Sequence, residues 1–69
     1  MIWALGDGNS VAYTEDYATY LKWRSVGGTE WFGTYRKDGY DFAWQVIFPT
    51  RLKRRLRKLV LQNATPEAP

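Results

Sequence analysis

The sequence predicts a small α+β protein: a two-layer sandwich with a three- to four-stranded, mainly antiparallel sheet and two helices on one face, in the order β(β)αββα. Three observations lead there. Residues 29–37 and 40–48 alternate in hydrophobicity about Asp38-Gly39, the pair that favours a two-residue type I′ turn. A helical segment with its own capping residue lies on each side of this hairpin. The chain has 69 residues, the length of one small domain. That domain is expected over residues 1–62. Residues 63–69, the polar, Pro-containing NATPEAP, read as a flexible tail.

Ile2–Leu5 reads as a short strand, and Gly6-Asp7-Gly8-Asn9 as a turn, because Gly and Asn accept the positive φ of a tight reversal. Val11–Tyr13 is expected to pair back on the first strand. Thr14 then has the chemistry of a helix N-cap. Glu15 and Asp16 follow in the first turn, where carboxylates suit the positive dipole end. The helix is predicted from Glu15 to Arg24, stopping before Gly27-Gly28. On a helical wheel Tyr17, Ala18 and Leu21 form one apolar arc with Tyr20 at its edge. Trp23 falls about 160° from Leu21, beside Asp16 and Thr19, and is therefore expected to be more exposed than the hairpin tryptophans.

The Asp38-Gly39 turn sets the hairpin register. One face collects Tyr35 with Phe42, Gly33 with Trp44, Trp31 with Val46, and Thr29 with Phe48; it is the expected core, with Trp44 over the bare backbone of Gly33. The other face collects Arg36 with Asp41, Thr34 with Ala43, Phe32 with Gln45, and Glu30 with Ile47, and is expected to be mostly solvated. Pro49 ends the strand. Thr50 is the expected cap of a second helix over Arg51–Gln62. If the strands flanking the first helix share the sheet, the crossover makes them parallel.

Composition narrows the function. The chain has no Cys and no His, which removes disulfides, the usual zinc sites, a thiol nucleophile and an imidazole base. Four Trp, five Tyr and three Phe supply the core instead, with enough aromatic surface to make self-association a live reading. Gly6-x-Gly8 starts a dinucleotide fingerprint, but Val11 occupies the third glycine position. With the helix-start acids assigned to capping, Asp7, Asp38 and Asp41 are the aspartates left for a carboxylate–metal site, and two of them belong to the hairpin. No enzyme, metal or cofactor is expected. No run of about 20 apolar residues spans a membrane, and Met1–Leu5 lacks a signal peptide's basic leader. The expected location is cytoplasmic.

Charge is distributed unevenly. Residues 1–50 carry four basic and six acidic side chains, net −2, whereas residues 51–69 carry six basic and one acidic, net +5. In the second helix Leu52, Leu56, Leu59 and Val60 span about 100° of the wheel, a stripe suited to docking on the sheet. Arg51, Lys53, Arg54, Arg55, Arg57 and Lys58 occupy the remaining arc. These cations repel one another with no interleaved Glu. They read as a nucleic-acid interface of low sequence specificity, because phosphate rewards dense Arg and Lys. Two plainer readings accompany it: a solubilising face, or a surface for an acidic protein. Membrane binding is not expected, since the apolar stripe is used internally. The alternative class is a protein-interaction module, a small inhibitor, regulator or homodimer, with Tyr20, Trp23 and Arg24 as candidate contacts and Phe32 beside them.

Overall fold

The structure is a computed structural model that describes residues 1–64, with side chains described as far as Val60. β1 (Ile2–Ala4) and β2 (Asn9–Thr14) form the first hairpin, followed by α1 (Tyr17–Arg24). β3 (Glu30–Lys37) and β4 (Tyr40–Pro49) form the second, followed by one 3-10 turn (Thr50–Leu52) and α2 (Lys53–Ala64). The four strands make one antiparallel sheet in the order β1-β2-β4-β3. β2 and β3 each pair antiparallel with β4 from opposite sides. They therefore run parallel to each other, joined by α1 with β4 inserted between them. Both helices pack on one face, where Ala12, Val46 and Phe48 of the sheet meet Trp23, Val26 and Leu56. The expected tail begins inside α2, which runs to Ala64; residues 65–69 lie outside the described residues.

Local chemistry sets most of the boundaries. Asp38 and Gly39 both take positive φ, 54° and 83°, as a type I′ turn requires. The cap of α1 is Asp16, two residues later than Thr14. The Asp16 carboxylate accepts from the Thr19 amide and hydroxyl, while the Thr14 hydroxyl accepts from the Asp16 amide. At the other end Thr29 does not pair with Phe48. Its buried hydroxyl lies 2.9 Å from the carbonyls of both Trp23 and Val26 and closes the end of the helix. Thr50 does not cap α2. Its hydroxyl bonds Ser10 Oγ at 2.8 Å and its amide donates to the Gly8 carbonyl, tying the start of the second helical segment to β2 and the turn before it.

The second hairpin departs from its expected register in the middle. Glu30 faces Ile47, Trp31 faces Val46, Arg36 faces Asp41 and Lys37 faces Tyr40, as the turn dictates. Between them, Gly33 faces Gln45, Thr34 faces Trp44 and Tyr35 faces Ala43, each one residue out. A bulge at Phe32 on β3 opens this slip and one at Phe42 on β4 closes it. The slip carries Gly33 and Tyr35 to the face away from the helices. Gln45, not Trp44, covers Gly33: a Cβ there would stand 3.1 Å from Gln45 Oε1. Trp44 stays on the helix side, its ring centroid 4.9 Å from that of Tyr17 and 6.0 Å from that of Tyr20.

α1 is turned over relative to its wheel. Thr19 and Trp23 are buried, while Tyr17, Ala18 and Leu21 are exposed. Trp23 is fully buried and its Nε1–H donates to the Leu56 carbonyl of α2 at 3.0 Å. Its expected exposure is therefore wrong, and the most exposed tryptophan is Trp31, at 58%. Burying an indole removes the largest apolar surface available to this helix, and the hydrogen bond removes the cost of its polar edge.

Candidate functional site

The apolar stripe of α2 docks as its spacing requires: Leu56 is fully buried, and Leu52, Leu59 and Val60 pack against the core. Docking leaves the opposite arc to solvent. Arg51, Arg54, Arg55, Arg57 and Lys58 are exposed, and Lys53 is half-buried. One flank forms a shallow open groove floored by Leu52 and Leu59 and rimmed by Arg51, Arg54, Arg55 and Lys58.

None of these six cations lies within salt-bridge distance of a carboxylate among the described residues. Arg36 and Asp41 of the hairpin do form an ion pair, at 3.0 Å. Like charges recur three and four residues apart, as in Arg51–Arg54–Arg57 and Arg54–Lys58, and each such pair costs about 0.2–0.5 kcal/mol. A second cost comes from position. Lys53, Arg54 and Arg55 occupy the first turn of α2, which contains no acidic residue, so they face the positive end of the helix dipole. An anion held along this arc relieves both terms.

The other candidate contacts are arranged differently. Tyr20 is half-buried and clusters with Tyr17 and Trp44, its ring 5.9 Å and 6.0 Å from theirs. Arg24 is exposed overall, yet its guanidinium donates to the Thr29 carbonyl at 3.0 Å and braces the turn after α1. With Trp23 interior, these three residues do not make a common surface.

Aromatic residues do gather on the sheet face away from the helices, which the expected register had left polar. Trp3 of β1 lies beside Val11, which faces Ile47. In the next row the Tyr13 and Tyr35 rings stand 5.9 Å apart over Gln45, to which the Tyr35 hydroxyl donates at 3.3 Å. Phe42 extends the row, its ring 6.2 Å from that of Tyr35. The bulges produce this arrangement, because they move Tyr35 across the sheet.

Besides Asp41, three carboxylates have specific partners. The Asp16 carboxyl is held below its ordinary value, chiefly by the hydrogen bond from the Thr19 hydroxyl. The Tyr13 hydroxyl donates to Glu15 at 2.8 Å, and that acceptor raises the phenol above its ordinary value. Asp7 accepts from the Asn9 amide within its turn. Among the described residues no three His, Cys, Asp or Glu side chains gather into a metal-holding group. A second depression, about 290 Å³ and lined by Asn9, Gly28, Glu30, Ile47, Phe48 and Pro49, has Glu30 as its one ionisable group. No described helix is long and apolar enough to cross a membrane. Comparison of the chain with protein-family models, curated proteins and solved structures finds no match.

Proposed function

We propose that this protein is a small cytoplasmic nucleic-acid-binding module of low sequence specificity that acts without a cofactor and catalyses no reaction. Arg51, Lys53, Arg54, Arg55, Arg57 and Lys58 contact phosphate. The observation that carries the reading is the arc itself: six cations on a helix whose apolar side is committed to the core, without carboxylate partners among the described residues. Phosphate contacts carry no base information, so binding is expected to be tolerant of sequence. An acidic protein surface is the competing ligand for the same arc.

The test is fluorescence anisotropy with labelled duplex and single-stranded oligonucleotides across a salt series. About four phosphate contacts give a log–log slope near −3.6 on duplex DNA. Reversing Arg54, Arg55 and Lys58 to Glu is expected to abolish binding while far-UV circular dichroism stays native, since all three point away from the docked stripe. Thermal stability should hold or rise as like-charge repulsion is relieved. Absence of any affinity at low salt would overturn the proposal.

A further inference from the structure

Among the described residues nothing forms a second layer over the aromatic face of the sheet. Its centre is as dry as a core: Val11 and Ala43 are fully buried and Gln45 nearly so, although no described helix lies above them. They are covered by their neighbours in the sheet, whose outer surfaces remain open: Trp3 at 37%, Tyr35 at 45% and Phe42 at 42%. The acids bordering this face are Glu15, which accepts from Tyr13, and Glu30, opposite Ile47. Its middle presents apolar and aromatic surface with the Tyr35–Gln45 hydrogen bond internally satisfied.

We infer that this face pairs with the same face of a second copy of the chain, giving a two-fold, back-to-back dimer with the sheets as its two inner layers. Three arguments select this occupant. The first is area. The strands are 3 to 10 residues long and about 4.8 Å apart, and together they project roughly 400 Å² per copy. Aromatic relief adds to the projection, so a pair buries roughly 1,000 Å² in total, the lower bound of a specific interface. The second is self-complementarity. A two-fold pairing sets one surface against itself, which suits a face whose centre carries no charge. The third is the position of the basic arc. α2 lies on the other side of the sheet, so pairing sheet to sheet leaves the two arcs on opposite outer sides. Two sheets about 10 Å apart then stand between them, more than a Debye length of about 8 Å at physiological salt. Pairing through the exposed Tyr17 and Leu21 of α1 would instead use the helical layer that carries α2, bringing the like-charged helices closer.

This inference is independent of nucleic-acid binding, and salt separates the two: phosphate contact weakens as salt rises, whereas apolar pairing holds or tightens. The test is sedimentation equilibrium of the full chain from low micromolar to about 1 mM, a range that brackets a modest interface. The wild type is expected to form a reversible dimer that persists at high salt. Tyr35→Glu should weaken it at least tenfold, and Leu21→Glu on α1 should leave it unchanged. Iodide quenching of Trp3 should fall with protein concentration while quenching of Trp31 stays constant, a readout that needs no change on the face itself. Trp3→Ser, on the short β1 strand, gives a second disruption should Tyr35→Glu not fold. A monomer throughout the range would overturn the inference, as would a dimer that survives both face substitutions or is lost with Leu21→Glu. Protection of Trp3 by a single-stranded oligonucleotide in a monomeric protein would also overturn it, making the face a base-stacking platform.

Discussion

Replacing Trp23 by alanine tests the packing of the whole helical layer. The indole is fully buried between α1, α2 and the sheet, and its one polar atom is bonded to the Leu56 carbonyl. Truncating a buried Trp to Ala costs about 3–5 kcal/mol. A chain of this length is stable by roughly 3–10 kcal/mol, so the loss removes about a third of the total or more. Trp23→Phe keeps most of the ring contact and loses the Nε1–H donor, an expected cost of about 1–2 kcal/mol. Trp31, exposed and bonded to Thr34 Oγ1 at its own surface, is the comparison, and Trp31→Ala is expected to cost under about 1 kcal/mol. Urea unfolding followed by far-UV circular dichroism measures all three. The reasoning fails if Trp23→Ala costs no more than Trp31→Ala, because that outcome places the indole outside the core.

Two pH-linked contacts give further expectations. The Asp16 carboxyl is lowered on folding, so its capping contribution is complete above the ordinary carboxylate range and fades as pH falls through the lowered value. Asp16→Ala should therefore lower the melting temperature at neutral pH, and the gap from the wild type should close in strong acid. Tyr13 has the opposite sign: its phenol is raised, so the contact with Glu15 contributes below the ordinary tyrosine value and is lost as pH rises through the raised one. Ultraviolet difference titration should show one tyrosine ionising late, and Glu15→Gln should bring it back towards the ordinary value.

Much of the architecture is legible in the residues because it rests on local rules. Asp38-Gly39 can make few other turns, the Leu52–Leu56–Leu59–Val60 spacing has one docking solution, and α1 ends shortly before Gly27-Gly28. The misses share another cause. The two sides of α1 are almost equally apolar, with Tyr17 and Leu21 on one and Tyr20 and Trp23 on the other, so periodicity alone cannot orient it. Tertiary packing decides through Trp23 and the carbonyl it reaches in α2. The paired bulges are similarly non-local. A turn fixes register only as far as the ladder stays regular, and Phe32 and Phe42 each step out of it. The Gly33–Gln45 and Tyr35–Gln45 contacts that accompany the slip join residues 10 or more positions apart in the chain. The aromatic face follows from that slip, which is why a strict alternation pattern assigns it to solvent. The cationic arc needed no such information, since it is the complement of the docked stripe.

The tie between Thr50, Ser10 and Gly8 has a mechanical consequence. It fastens the helical segment to the sheet at Thr50, immediately before residues 51–58, which carry the six cations of the arc. Many basic segments are unstructured until they meet a polyanion, and part of the attraction is then consumed in ordering the chain. Here the ordering is already complete. The charges stand on a helix clamped at its root like a cantilever, with Leu56 seated in the core one turn further along. On the proposed function, an approaching polyanion meets a finished surface, so association should be limited by encounter and desolvation, with no folding step in between.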